Sequence, residues 1–196
     1  MIRHNLYGII ISAGLSGRIG KFKPLLNYKN KSFIQNITTK LNEVCEKIII
    51  VTGHKADEVK ENVNQLNIHS KIEFVHNPDY ESGMFTSLQA GIRKVTEANW
   101  ILYHFVDQPG LPQTFYSDFI HQVDNNYNWI QPSINGENGH PILMHYEIFE
   151  TVQKASKDSN LREVSRNSIV KKKFWECGYQ EIFQDIDTEE DYLSLE

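Results

Sequence analysis

Short runs of β-branched and aromatic residues alternate along the chain with segments whose apolar positions recur every three or four residues. Tyr7-Gly8-Ile9-Ile10-Ile11 is apolar throughout, the pattern of a strand covered on both faces of a parallel sheet. Ile48-Ile49-Ile50-Val51, Ile72-Glu73-Phe74-Val75 and Ile101 to Val106 predict further strands. Phe33, Ile37, Leu41 and Val44 line one face of a helix that Ser32 is placed to cap. Val59, Val63 and Leu66 predict another helix, as do Met84, Leu88, Ile92 and Val95, and then Phe115, Phe119 and Val123. Beyond Val123 the pattern loosens into Trp129-Ile130, a turn signal at Asn135-Gly136, and Ile142-Leu143-Met144. This β-α-β-α order implies a three-layer α/β/α, Rossmann-like fold around a mostly parallel sheet. No repeat, low-complexity tract or linker interrupts it, so residues 1–196 read as a single domain.

Composition narrows the function classes. Hydrophobic residues at 40% and charged residues at 23% describe a globular chain with a substantial core. A net charge of -5 argues against non-specific nucleic-acid binding, which draws its affinity from clustered positive charge. The run Lys171-Lys172-Lys173 reads as a solvated strand edge. Cys45 and Cys177 match no zinc or redox spacing and are expected to be free thiols. No apolar run approaches the ~20 residues that span a bilayer. The N-terminus has no signal-peptide architecture, so a cytoplasmic location without a membrane partner is expected.

Ligands of open parallel sheets bind beyond the carboxyl ends of the strands, which directs attention to the loops after Ile11, Val51, Val75 and Val106. The first runs Ser12-Ala13-Gly14-Leu15-Ser16-Gly17-Arg18-Ile19-Gly20-Lys21-Phe22-Lys23. Its glycines let the backbone approach a ligand closely, and its successive N–H groups suit an anion. Arg18 and Lys23 can add charge-assisted contacts to phosphate oxygens. A Walker-type loop is excluded, because Phe22 follows Lys21 where Ser or Thr is needed. The dinucleotide fingerprint is excluded too, since the glycines fall at 14, 17 and 20.

The string Ala13-Gly14-x-Ser16-x-Arg18-x-Gly20-x-x-Lys23 resembles the signature of the nucleotidyltransferases that build molybdenum cofactor dinucleotides. Ser12 and Ile19 stand where alanine and methionine are commoner. Later segments resemble the same family in the same order: Val51-Thr52-Gly53-His54, Asn77-Pro78 with Ser82-Gly83-Met84 and Ser87 to Gly91, Val106-Asp107-Gln108-Pro109, Gly139-His140-Pro141, and Asp185 to Asp191. Taken singly, each of these has a structural reading as a turn, a strand end or a helix cap. Thr188 with Asp191 in particular resembles a capping pair. Their joint order carries the resemblance over nearly the whole chain. Ala13-Gly14 and Asp107-Gln108-Pro109 look more like the cytidylyltransferase branch than the guanylyltransferase branch, which usually has a Gly-Gly pair.

The resemblance implies a magnesium-dependent transfer of CMP from CTP to the phosphate of a molybdopterin-type acceptor, with a molybdenum hydroxylase as eventual recipient. It implies catalytic roles for Arg18, Lys23 and Asp107, and metal ligation by Asp107 and Asp187, with Asp185 a less favoured substitute. Ser12, Ala13, Gly14, Ser16, Gly20, Lys23, Gly53, Asn77, Gly83 and Ser87 would surround the nucleotide, and His140 and Arg162 the acceptor. Two other readings share these residues. One is a transferase of the same fold using GTP or a sugar or alcohol phosphate; the other is a non-catalytic protein that delivers cofactor to molybdenum hydroxylases.

Overall fold

The computed structural model describes residues 5–17 and 19–195. The strands are β1 (Leu6–Ser12), β2 (Asn27–Tyr28), β3 (Lys31–Ser32), β4 (Lys47–Thr52), β5 (Ile72–His76) and β6 (Trp100–Phe105), followed by β7 (Trp129–Ile134), β8 (Glu137–Asn138), β9 (Ile142–His145) and β10 (Lys172–Glu176). The helices are α1 (Phe33–Val44), α2 (Ala56–Val63), α3 (Met84–Ile92), α4 (Gln113–Ile120), α5 (Phe149–Lys154), α6 (Leu161–Val164) and α7 (Glu189–Leu193). The main sheet has the order β10-β7-β9-β6-β1-β4-β5, with β8 paired to β7. β9 and β8 run against the other strands, so the sheet is mostly parallel.

The apolar strands divide their side chains between two layers, because successive residues of a strand point to opposite faces. Ile10, Ile48, Ile50 and Leu102 meet Ile34, Ile37 and Leu41 of α1, Val59 of α2 and Phe115 of α4. Tyr7, Ile9, Ile11, Ile49, Val51 and Ile101 meet Phe85, Leu88 and Ile92 of α3, Val152 of α5 and Val164 of α6. Each such aliphatic side chain contributes roughly 1.5–3 kcal/mol on full burial. Both layers of helices are therefore held by one strand set.

Ser32 caps α1 as its sequence suggests. Its hydroxyl accepts from Gln35 N at 3.1 Å while Gln35 Oε1 accepts from Ser32 N at 3.2 Å, a reciprocal capping box. The helices after it stop earlier than their apolar periodicity implies. α2, α3 and α4 end at Val63, Ile92 and Ile120. Leu66, Val95 and Val123 each follow in a single tighter turn, their N–H groups bonding Val63 O, Ile92 O and Ile120 O. That turn keeps the last apolar residue near the core without further α-helix.

The lysine run does form a strand edge: β10 is the terminal strand and pairs in parallel with β7. Asn135 and Gly136 both have positive φ, 53° and 80°, which joins β7 to β8 in a tight hairpin. Cys45 and Cys177 are free. Among the described residues no helix is long and apolar enough to cross a membrane.

Candidate active site

β1 and β6 are adjacent and parallel, so the loops leaving their carboxyl ends start side by side. Between them opens a cleft of about 200 Å³ lined by Gly14, Ser16, Gly17, Lys23, Met84, Phe105, Asp107 and Asp187. The loop after β1 doubles back through Ser16, whose φ is 57° and whose hydroxyl accepts from Lys23 N at 3.0 Å. This bond anchors Lys23 at the cleft. A Cβ built on Gly14 or Gly17 would meet no protein atom within 4 Å. The protein's own packing does not require glycine there, whereas close approach of a ligand to the backbone would.

Lys23 is the hub. Its Nζ lies 2.5 Å from Asp187 Oδ1 and 3.7 Å from Asp107 Oδ2, with its side chain only 10% exposed. Burial pushes the Asp107 carboxyl up to about 6; the Lys23 ammonium opposes this, and the negative charges of Asp185 and Asp187 add to it. Among the described residues, Asp107 Oδ1 is buried without a hydrogen-bond partner. Two carboxylates thus converge on one cation, and one retains an unused acceptor.

The segment carrying Asp185 and Asp187 is tied to the end of β6 by several bonds. Ile186 N donates to Asp107 O at 2.9 Å, and Gln108 Nε2 donates to Asp185 Oδ1 at 2.8 Å and to Ile182 O at 3.2 Å. Burial raises the Asp185 carboxyl, while nearby His140 and the Gln108 hydrogen bond oppose the rise. Ile186 packs with Ile19 and Phe33, and Tyr192 joins the same cluster. Lys21 Nζ reaches Glu189 Oε1 at 2.8 Å. The C-terminal segment therefore closes one side of the cleft.

The remaining sequence candidates are spread over several places. Ser12, Ala13, Asn77 and Ser87 are buried behind the cleft. Asn77 Nδ2 donates to both Thr86 Oγ1 and Ser87 Oγ at 2.9 Å, which spends these polar groups on holding the β5–α3 connection. Gly53 packs against the loop itself: a Cβ there would lie 2.5 Å from Tyr80 Cγ and 2.8 Å from Ala13 O. Gly20 and Gly83 are exposed. His140 and Arg162 come together in a separate cleft beside β7 and β10. The two clefts are neighbours, because the His140 ring stands 4.9 Å from that of Phe105. Arg18 lies outside the described residues.

Three contributors were not singled out from the sequence. Gln108 was visible within the Asp107-Gln108-Pro109 string, but its bridging to Asp185 needs the fold. Met84 read as a core position of α3, yet it is 61% exposed and lines the cleft. Lys40 gave no signal beyond one lysine on a helix. Its Nζ donates to Pro109 O at 2.7 Å from behind the Asp107 turn, and burial lowers its pKa to about 8.

The pattern described as the MobA-like NTP transferase domain matches residues 8–172. The molybdenum cofactor cytidylyltransferase of Escherichia coli (strain K12) is 31% identical over 193 residues, covering 95% of this chain and 93% of its own. The probable molybdenum cofactor guanylyltransferase of Bacillus cereus (strain Q1) is 27% identical, covering 71% of this chain and 66% of its own. Among solved structures, Rv0371c of Mycobacterium tuberculosis H37Rv superimposes with a TM-score of 0.80 at 18% identity, covering 98% of both chains. Its complex with manganese gives 0.75, covering 97% of both chains. At that identity these structures bear on the fold alone. The curated relative and the match across residues 8–172 go further: the chain belongs to the MobA-like NTP transferase family and is a nucleotidyltransferase.

Proposed function

We propose that the protein transfers CMP from CTP to the phosphate of a molybdopterin-type acceptor, releasing pyrophosphate, and that a molybdenum hydroxylase receives the product. The observation that carries this reading is the placement of Lys23 between Asp107 and Asp187 at the mouth of a cleft walled by an open glycine loop. Cytidine is favoured over guanosine by Ala13-Gly14 in place of a Gly-Gly pair. The 31% identity to a cytidylyltransferase over almost the full chain favours it as well.

In this reaction an oxygen of the acceptor phosphate attacks the α-phosphorus, and the bond from that phosphorus to the bridging oxygen breaks. An ionised phosphate needs no general base, so the work is positioning and charge stabilisation. The N–H groups of the Gly14–Gly17 turn hold the outer phosphates, with Arg18. Lys23 stabilises charge on the α-phosphate and on the leaving pyrophosphate. Gln108 and Lys40 are positioning residues that fix the Asp107 turn from two sides.

Asp107 and Asp187 fit a magnesium ion. The Lys23 ammonium already sits where their oxygens converge, and Asp107 Oδ1 has no partner among the described residues. No group of three or more His, Cys, Asp or Glu is assembled among the described residues. One or two carboxylates are what magnesium uses when phosphates and waters supply its other ligands. Bound there, it would neutralise phosphate charge.

Pyrophosphate release should be measured with magnesium and each of CTP, GTP, ATP and UTP, with and without molybdopterin. Release confined to CTP plus molybdopterin supports the reading. Release with GTP instead transfers the protein to the guanylyl reaction. Molybdopterin binding without release under any condition favours a delivery protein.

A further inference from the structure

Apart from the central cleft lies a cavity of about 770 Å³ whose lining includes Gly110 and Pro112 from the stretch just past Asp107, Glu181 and Gln184 from the stretch just before Asp185, and Lys40 from α1. It therefore touches both segments that bring carboxylates to the active site. Lys40 is half-buried, its Nζ donates to Pro109 O at 2.7 Å, and its carbonyl accepts from Gln113 Nε2 at 3.3 Å. Lys29 lines the same cavity. Lys29 and Lys31 act on Lys40 as neighbouring positive charges and Glu181 as a negative one. His104, the other titratable group near it, is neutral, because burial lowers its pKa to about 3. Burial first, then the charges of Lys29 and Lys31, lower the Lys40 pKa to about 8 against the opposing charge of Glu181. At pH 7.5 roughly a quarter of the Lys40 side chains then carry a free amine, against about 0.1% for an ordinary lysine. A lysine that is partly desolvated and next to another cation is the arrangement in which the amine becomes a nucleophile near neutral pH.

We propose that Lys40 is an acylation site served by a small acyl phosphate, and that its acylation slackens the turn carrying Asp107. The neutral Nζ attacks the carbonyl carbon of the donor and an N–C bond forms. The bond from that carbon to the phosphate oxygen breaks, inorganic phosphate leaves with the electron pair, and the amine proton passes to solvent. Lys29 and Lys31 supply positive charge where the donor's phosphate arrives and departs. The cavity is within the size range of ligand pockets and has room for the added acyl group. The amide that results has no charge and a single N–H, so its bond to Pro109 O is no longer charge-assisted. The modification itself is independent of the nucleotidyl-transfer reading. Its effect on catalysis rests on that reading, through Asp107.

The full-length protein is incubated with acetyl phosphate at pH 7.5, and acetylation of each lysine is followed by peptide mass spectrometry. Lys40 should be labelled at least fivefold faster than the exposed Lys94 and Lys171, and its rate should level off above pH about 8. Labelling of Lys40 no faster than these two overturns the site. Hydrogen exchange across residues 105–112 tests the coupling without turnover. Acetylated wild type should exchange faster there than untreated protein, while Lys40→Arg given the same treatment should not change. Equal change in both, or none in either, overturns the coupling. In pyrophosphate release, treatment should cost the wild type at least threefold more activity than it costs Lys40→Arg, each relative to its untreated form. An equal loss, as labelling of Lys23 would produce, overturns the link to catalysis. Untreated protein that is silent with every nucleotide sinks the transfer reading alone, and the labelling and exchange results still decide the site.

Discussion

Lys23 and Asp187 are 164 residues apart in the chain and their side chains meet at 2.5 Å, with Asp107 Oδ2 3.7 Å from the same ammonium. A lysine that balances two carboxylates in this cleft also lies within reach of a phosphate bound there. Lys23→Ala should therefore lower kcat by about 10²–10³, the usual effect of deleting one preorganised electrostatic group. Because the ammonium also opposes the rise in the Asp107 pKa, the variant should hold that proton to a higher pH. Full turnover by Lys23→Ala in a pyrophosphate-release assay would remove it from the catalytic set.

Asp107 connects function to stability through pH. In the folded protein its carboxyl titrates near 6, against 3.8 for an ordinary aspartate. The folded state therefore binds more protons across that window, and this group's contribution to stability falls as pH rises through it. Above about 6 the full cost stands. Asp107→Asn removes the charge and should stabilise the fold at pH 7.5 by about 1–3 kcal/mol. The gain should all but vanish at pH 3.5, where the folded carboxyl is protonated and the unfolded one mostly so. Thermal melts at the two pH values check this, and a variant no more stable at pH 7.5 than at 3.5, relative to wild type, contradicts it. In the wild type, the magnesium needed for half-maximal rate should rise as pH drops below about 6.

Gly14 and Gly53 both belong to the site yet differ in why they are glycine. A methyl group at Gly14 meets nothing in the protein, whereas one at Gly53 strikes Tyr80 Cγ at 2.5 Å. Gly14→Ala should melt at the wild-type temperature and bind nucleotide more weakly. Gly53→Ala should lose about 1–3 kcal/mol, the cost of overpacking a filled site. Equal stability losses in the two would show that the glycine loop is shaped by its own packing and not by a ligand.

The parts of this fold that were legible in the sequence are those in which one residue type meets one local demand. Ile9-Ile10-Ile11 reads as a strand covered on both faces, and Ser32 reads as the cap of α1, to which the fold adds the reciprocal bond from Gln35. The glycine loop and the Asp107 turn were legible because both sit at strand ends. Their proximity was not, since it comes from the placement of β6 beside β1. The β7–β10 half was harder to read. Pro132 lies within β7, where a proline argues against a strand, and β10 opens on two lysines, Lys172 and Lys173. Met84 misled because it keeps helical spacing while facing the cleft. Gln108 and Lys40 acquire their roles only from partners 74 to 77 and 69 residues away.

Asp191 tests whether the C-terminal segment does more than cover the cleft. Its Oδ2 accepts from Thr188 N at 2.7 Å and from Asp187 N at 3.0 Å, while Thr188 Oγ1 accepts from Asp191 N at 3.1 Å. This capping box fixes the backbone of Asp187, so it sets where that carboxylate points although Asp191 is not among the residues lining the cleft. Removing a cap costs about 0.5–2 kcal/mol locally. In a short terminal helix that loss should loosen Asp187 with little effect on the core. Asp191→Ala should therefore raise the magnesium concentration needed for half-maximal rate several-fold, with a smaller change in the KM for CTP. Asp191→Asn, which keeps an acceptor oxygen for the two N–H groups, should recover most of the loss. If Asp191→Ala shows wild-type magnesium dependence, Asp187 is held well enough by Lys23 and by the Ile186 packing, and the cap serves the helix alone.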